Sequence, residues 1–412
     1  MRYRHNINSE ISMTYIVTKK KLTLVAALGV TIGIAIYIFM NSMMVGFDKK
    51  STELVFRSTA HIRVYKDEVM SLPLLPEKGS NLPVIINPSV VPESDKIVDP
   101  EKIISLLRQQ PDVTMVTPQV TVSVFYNNGK SQITGTSYGV RIAEADKMFN
   151  IGTTVVEGSI QDLKNTPNGI LLGVGIAAKM SVRPGDNITI TSSRNVTKVM
   201  KVVGLFQSNN SQIDKTKSYI NISAAQQLLQ EGAGYVSDIN VSVTNPDNAA
   251  NYSAKFSDLT GYKAEDWKAA NATLVAASNM RRIMITVIAL SILLVAGFGI
   301  YNILNMTITQ KINDIAILKA MGFRGRDVVR IFVQQAMIIG MIGILIGVLL
   351  AVLLVFQLSR TYVGGDIGYF PIRFEWPVFF RGLIFGLIVT LGAGYIPAKK
   401  AANVDPVSIF RR

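Results

Sequence analysis

The chain has 412 residues, is 49% hydrophobic and carries a formal net charge of +14; its mean hydropathy of +0.31 exceeds what a soluble protein of this length sustains, and the excess sits in four windows, Leu22–Val45, Ile283–Met306, Ile331–Leu358 and Pro377–Ile396. The charge is not a nucleic-acid footprint: the N-terminal tail, segment 311–330 and the C-terminal tail hold fourteen Lys and Arg against four acids (Glu10, Asp314, Asp327, Asp405), a net +10 that falls on one side if each window crosses a membrane once. Cysteine is absent, which excludes a disulfide framework, a thiolate metal site and a cysteine nucleophile.

In chain order, residues 1–21 read as a cytoplasmic tail, with 10–20 either a short helix lying on the membrane or a disordered basic flank. A first transmembrane helix spans 22–46. Its apolar run is longer than the roughly 7–15 residues of a signal-peptide core and no small-x-small cleavage site follows, so it is a retained anchor. Residues 47–278 form a periplasmic domain. His61–Tyr65 alternates like a strand, and six prolines between Pro73 and Pro100 make 71–100 an extended excursion with no assigned role. Pro100–Gln109 is an amphipathic helix. Val113–Val124 and Ser131–Ile142 are strands joined through Asn127-Asn128-Gly129, a strong hairpin signal. Asn168–Lys179 starts as a strand and becomes a helix, Pro184-Gly185-Asp186 turns the chain, and Asn187–Thr191 pairs with Thr197–Phe206 around Ser193-Arg194-Asn195. Ser223–Leu229 is helical and Ser237–Val243 a strand; Ala249–Met280 is mostly helical and runs straight into the next membrane helix. Two subdomains follow from this order, one built from both ends of the domain and a β-rich one inserted at about 119–230.

Transmembrane helices at 279–310, 331–359 and 377–397 complete the chain, separated by a cytoplasmic coupling segment at 311–330 and a short periplasmic loop at 360–376, with a cytoplasmic tail at 398–412. Each apolar run exceeds the roughly 20 residues that cross about 30 Å of hydrocarbon. The fold class is therefore an α+β membrane protein: four transmembrane helices with a large periplasmic α/β domain of two subdomains between the first and second. Gly29 and Gly33, and Gly340, Gly343 and Gly347, form small-residue patterns that let membrane helices approach closely. Trp376 and Tyr369 mark the outer edge of the fourth helix, where Arg381 snorkels outward. No acid or histidine lies deep in any window, so the hardware of a proton-coupled transporter is missing.

Chemistry is equally absent. There is no GxxxxGK[ST] and no HExxH. The only histidines are His5 and His61, and His61, opening a strand without a second histidine to join it, reads as structural. No catalytic residue, metal site or cofactor is expected. Function concentrates instead in KINDIAILKAMGFRGRDVVR, residues 311–330. Asp314–Met321 reads as a helix with Gly322 as its C-cap and Arg326–Arg330 as the restart; Asp314 and Lys319 suit the two ends of the helix dipole. Ile315, Ile317, Leu318 and Met321 are apolar on an exposed connection. They either pack on neighbouring helix ends or plug a groove in a partner, and the basic, partly apolar tail on the same side favours the partner.

Asn313-Asp-Ile-Ala-Ile-Leu-Lys-Ala-Met-Gly-Phe323 and Tyr395-Ile-Pro-Ala-Lys-Lys-Ala-Ala-Asn-Val-Asp-Pro406 resemble the cytoplasmic motifs of FtsX-like permeases, the membrane subunits of macrolide-exporter-type ABC systems. Gly29-Val-Thr-Ile-Gly33, Ser42-Met-Met-Val-Gly-Phe47, His61-Ile62, Leu172-Gly-Val-Gly-Ile-Ala-Ala178, Pro184-Gly-Asp186 and Val203-Gly-Leu-Phe206 resemble, within that family, the lipoprotein-releasing permeases. The resemblance implies a non-enzymatic permease subunit in the bacterial inner membrane, both termini cytoplasmic, paired with a second permease in a homo- or heterodimer. A separate cytoplasmic ABC ATPase dimer would grip each chain through Asp314, Ile315, Ile317, Leu318, Lys319, Met321, Gly322 and Arg324. Its closure would move the periplasmic domains by mechanotransmission and release lipoproteins or other hydrophobic cargo from membrane lipid. Efflux of a small molecule or peptide with a periplasmic adaptor, or signalling to a cell-wall partner, are the alternatives. Two departures from the family pattern stand out. Asp314 replaces the usual Glu, and the hairpin Thr191–Thr197 is too short for a chaperone-recruiting hook, which favours the non-recruiting subunit or another cargo.

Overall fold

The computed structural model describes residues 7–18, 20–67, 96–208, 210–364, 368–405 and 409. Most of the expected Pro-rich excursion, 71–95, lies outside these residues. The chain divides into a helical unit, Met1–Ser51 with Ala276–Arg412, and an α/β unit, Thr52–Val275.

Among the described residues, four helices are long and apolar enough to cross a membrane: Lys20–Phe56, Ala272–Gln310, Gly325–Ser359 and Trp376–Ala402. Uninterrupted helices are what an apolar solvent requires, since every backbone N–H and C=O must be paired within the segment. Their packing rests on small residues. A Cβ on Gly343 would lie 2.7 Å from Val30 Cβ and 2.8 Å from the Ala27 carbonyl oxygen, and one on Gly347 would lie 2.8 Å from the Thr31 carbonyl oxygen. The first and third apolar helices thus touch backbone to backbone, and Thr31 Oγ1 donates to Gly343 O at 3.2 Å across the seam. Gly33 faces Ala296 and Gly340 faces Thr390, whereas Gly29 meets nothing within 4 Å. Around these seams Val30, Ile34, Ile38, Leu293, Ile300, Ile344 and Phe379 fill the interior. At one end of the bundle Asp48 accepts from Ser278 Oγ at 2.6 Å, Arg281 Nη2 at 3.1 Å and Arg282 Nη2 at 3.2 Å, and Lys49 pairs with Glu375. Trp376 and Tyr369 are exposed, at 76% and 63%, near the same end of the fourth helix.

The α/β unit is built on one ten-stranded sheet. Its order is Lys263–Asp266, Ile62–Tyr65, Asp238–Val243, Val113–Asn128, Ser131–Val140, Lys217–Asn221, Gly169–Gly173, Thr197–Phe206 and Val155–Gly158, with Asn187–Ser192 pairing both Val113–Asn128 and Thr197–Phe206. The hairpin at Asn127-Asn128-Gly129 forms with Gly129 at φ 58°, and its ladder runs from Gln119↔Val140 to Asn128↔Ser131. Along Val113–Asn128 the even-numbered residues share one face, and Val116 lies in one core while Val120, Val122, Val124 and Tyr126, further along the strand, lie in another. The first core draws Ile62, Ile104, Leu107, Ile239, Val241, Phe256 and Trp267 from both ends of the unit. The second is filled by residues such as Ile170, Leu172, Ile188, Ile190, Met200 and Ile220 from its middle. The boundary drawn at residue 119 falls inside this shared strand, where its partner changes from Asp238–Val243 to Ser131–Val140.

Three strands of the sheet depart from the expected pattern, Val155–Gly158 at one edge being unread in the sequence along with the two that follow. Lys263–Asp266 is an edge strand inside a stretch expected to be mostly helical, and Lys217–Asn221 is a strand that local pattern did not reveal. Lys263–Asp266 has no β-branched or aromatic residue, so its conformation comes from pairing with Ile62–Tyr65 rather than from propensity.

His61 is structural. The Val243 N–H donates to its Nδ1 at 3.0 Å, and its ring lies 4.4 Å from that of Phe56. Burial lowers its pKa below the ordinary 6.5, keeping Nδ1 free to accept. A base with a lowered folded-state pKa binds fewer protons than the unfolded chain below that value, so its contribution is present above pH 6.5 and is lost as pH falls through the folded pKa. The thermal midpoint of the α/β unit, followed through Trp267 fluorescence in a Trp376→Phe background, is therefore expected to drop as pH falls below 6.5. His61→Phe should flatten that slope; an unchanged slope would contradict the assignment.

The glycine seam makes a second expectation. Gly343→Leu and Gly347→Leu force the first and third apolar helices apart and should destabilise the helical unit by about 1–3 kcal/mol or more. In detergent this appears as a lowered thermal midpoint, whereas Gly29→Leu should leave the midpoint of the isolated protomer unchanged.

Candidate functional site

Segment 311–330 folds as a helix, Ile312–Ala320, between two of the long apolar helices. The chain bends at Lys311 (φ −104°, ψ 16°), whose Nζ then reaches Asp314 Oδ2 at 2.8 Å across the first turn. At the other end the Gly322 N–H donates to Lys319 O and the Phe323 N–H to Leu318 O, both at 3.1 Å. Gly322 makes this possible by adopting φ 100°, a region that L side chains avoid. The chain re-enters a helix at once: the Arg324 N–H donates to Asp327 Oδ2 at 3.0 Å, and the Asp327 N–H donates to the Arg324 carbonyl oxygen at 2.9 Å.

The helix has two unlike faces. Ile315, 1% exposed, packs among Tyr15, Ile308, Val328, Ile331, Phe332, Ala398 and Ala401, and Ala316 next to it is fully buried. The expectation that Ile315 sits at the surface is therefore corrected: one turn of an α-helix rotates it toward the ends of the long helices. Ile317 and Met321, four residues apart, lie on the outward face at 47% and 66% exposure. Leu318, Asp314 and Lys319 are half-buried, while Gly322 and Arg324 are exposed.

Lys319 does more than suit its own helix dipole. Its Nζ donates to Ala402 O at 2.9 Å and Val404 O at 2.6 Å, closing off the C-terminus of Trp376–Ala402. The short connection is thus tied to the third apolar helix through Phe332 and to the fourth through Lys319 and Ala398.

A further element was only half legible. Residues Ile7–Thr18 form a helix. Tyr15, 8% exposed, stacks on Phe332 with ring centroids 6.1 Å apart, and Lys311 Nζ lies 5.5 Å from its ring. Burial first, then the Asp314 carboxylate, pushes the Tyr15 phenol pKa up, so it stays neutral. The sequence offered a signal in the apolar residues Ile11, Tyr15 and Ile16, which recur at helical spacing within the tail. Between it and Ile312–Ala320 lies a groove of about 450 Å³, lined by Glu10, Ile11, Thr14, Tyr15, Asp314, Ile317 and Leu318. The lining joins two carboxylates, Glu10 and Asp314, to the apolar side chains of Ile11, Tyr15, Ile317 and Leu318.

Comparison with known proteins bears on the whole chain. The FtsX-like permease C-terminal family model matches residues 286–406, and the MacB-like periplasmic core domain model matches residues 23–259. The lipoprotein-releasing system transmembrane protein LolC of Xylella fastidiosa is 23% identical, over 97% of this chain and 98% of its own. The corresponding LolE of Haemophilus influenzae is 24% identical over the same shares. The macrolide export ATP-binding/permease protein MacB of Psychrobacter cryohalolentis is 22% identical over 74% of this chain and 46% of its own. Among solved structures, the periplasmic region of MacB from Actinobacillus actinomycetemcomitans aligns over 53% of this chain and 94% of its own, with 14% identity and a TM-score of 0.34.

Replacing Lys319 by Met keeps the stem and removes the ammonium that holds two carbonyl oxygens. Charged hydrogen bonds of this kind contribute about 1.5–3 kcal/mol. Amide hydrogen exchange at Asn403 and Val404 should accelerate roughly tenfold or more; unchanged protection would show that the fourth helix end does not depend on Lys319.

Proposed function

This chain belongs to the FtsX-like permeases with a MacB-like periplasmic core and is an ABC transporter permease; from that premise we propose that a separate cytoplasmic ATPase drives it by mechanotransmission to release lipoproteins or other hydrophobic cargo from the inner membrane. The observation that carries the reading is the two-faced helix Ile312–Ala320. Ile317 and Met321 are offered outward for a partner, while Ile315 is locked among the ends of the apolar helices, so a push on the outer face reaches those helices without loss in a flexible loop. Asp314, Leu318, Lys319, Gly322 and Arg324 complete the docking surface.

The charge distribution supports placing this surface and both termini in the cytoplasm, with the α/β unit in the periplasm. Membership of the family supports two permease chains, identical or paralogous, per assembly. The lipoprotein-releasing relatives named above support lipid-anchored cargo. One observation favours a second reading, efflux of a smaller molecule with a periplasmic adaptor. The hairpin between Asn187–Ser192 and Thr197–Phe206 is a tight turn with Asn195 at φ 58°, leaving no extended loop there to recruit a chaperone.

Leu318→Asp places a charge at the edge of the apolar surface and should cut ATPase co-purification from membranes at least about tenfold. Undiminished co-purification would remove the docking role from this helix. Depletion of the chain should leave its cargo in the inner membrane, and the retained species, lipoprotein or small molecule, decides between the two readings.

A further inference from the structure

We infer that the loop joining Gly325–Ser359 to Trp376–Ala402 is a binding site for anionic phospholipid headgroups, with Arg360, Arg373 and Arg381 holding the phosphate oxygens. The site is independent of the docking role proposed for Ile312–Ala320 and lies at the opposite end of the third apolar helix.

The loop is a small hairpin. Tyr362–Gly364 pairs with Gly368–Tyr369, and the two tyrosine rings meet edge to face at 5.8 Å. At its base the Phe370 N–H donates to Thr361 O at 2.9 Å, which brings the chain back beside the end of the third helix. Arg360, next to Thr361, and Arg373, three residues beyond Phe370, therefore flank the same base. Arg381 joins them from the fourth helix. Its Nε donates to Pro377 O at 3.1 Å, one turn back, which turns the guanidinium toward the loop. The Phe374 ring, 4.2 Å from that of Phe379, ties the loop to the first turn of that helix.

All three arginines are exposed, and each keeps N–H donors to spare. Arg360 lies over the Phe356 ring at 4.1 Å, a ring contact and not an ion pair. Arg381 commits only Nε. Among the described residues no hydrogen bond or ion pair engages the Arg373 side chain. The acids described at this end are already taken, Asp48 by Ser278, Arg281 and Arg282, and Glu375 by Lys49. Asp366 of the same loop lies outside the described residues; set against three arginines it leaves 3 − 1 = +2.

The surroundings select a lipid. Tyr362, Tyr369, Phe374, Trp376 and Phe380 are exposed around the three cations. Such rings settle at headgroup level, where hydrocarbon meets water, so the guanidinium groups stand at the depth of the phosphates. A guanidinium matches phosphate oxygens bidentately, and a cation at a membrane surface gains from anionic lipid. A free anion in water would match the charge but gain nothing from the exposed rings.

The test uses the full-length chain in nanodiscs of phosphatidylcholine and phosphatidylglycerol, with bromine on the acyl chains of one lipid at a time. Trp376 reports its lipid neighbours by quenching, while Trp267, buried in the α/β unit, supplies a constant background. Brominated phosphatidylglycerol should quench Trp376 as though enriched at least about fivefold over its share of the disc. Replacing all three arginines (Arg360→Gln, Arg373→Gln, Arg381→Gln) should abolish the preference. Arg326→Gln, at the other end of the third helix, should leave it intact. Equal quenching by the two lipids in the wild type overturns the inference. So does a preference that survives the triple replacement or is lost with Arg326→Gln. Loss of the preference when inorganic phosphate replaces chloride at equal ionic strength would mark a soluble-anion site and overturn the lipid assignment. Should the triple variant lower the thermal midpoint in pure phosphatidylcholine, Arg373→Gln alone decides, since its side chain has no partner to lose; it should cut the enrichment at least about twofold.

Discussion

The burial of Ile315 among Tyr15, Phe332, Ala398 and Ala401 is the contact that fixes the short helix Ile312–Ala320 against the ends of the apolar helices. A nine-residue helix joining two long ones would by itself be a hinge. Packing holds it in place: dense side-chain packing has low compressibility, so the short helix keeps one position against those helix ends. The Lys311–Asp314 pair and the caps at Gly322 and Asp327 add direction more than energy, since exposed ion pairs contribute little to stability. They fix where the short helix starts and stops.

The same economy recurs in the membrane-type bundle. Gly343 and Gly347 let the first and third apolar helices meet at backbone distance, with a threonine hydroxyl bridging the seam. In lipid no hydrophobic gain drives helix against helix, so close contact and a shared hydrogen bond must supply it. Gly29, although part of the same kind of pattern, faces no neighbour in this chain. A small-xxx-small pattern identifies a surface able to approach closely; it does not say which surface will come.

Legibility in the sequence followed the same physics. The four apolar helices, the Asn-Gly hairpin and the glycine-capped coupling helix were readable because each is decided within a few residues, by hydrophobic length, turn chemistry or a required φ. The edge strand Lys263–Asp266 was not, because its residues carry no strand preference and only pairing with Ile62–Tyr65 creates it. The burial of Ile315 was also hidden: its neighbours Phe332, Ala398 and Tyr15 are remote in sequence, and nothing local distinguishes Ile315 from Ile317. The N-terminal helix was half readable, as one of two alternatives for 10–20, but its apolar residues do not specify that Tyr15 packs on Phe332.

The strand Val113–Asn128 serves two cores in succession, Val116 in one and Val120 to Tyr126 in the other. Val116, Val120, Val122, Val124 and Tyr126 share one face of the strand, because side chains two residues apart point the same way. The two cores therefore lie end to end along a single strand, and its ladder passes from Asp238–Val243 to Ser131–Val140 at Gln119. The seam between the two halves of the unit is thus a backbone that both must keep extended.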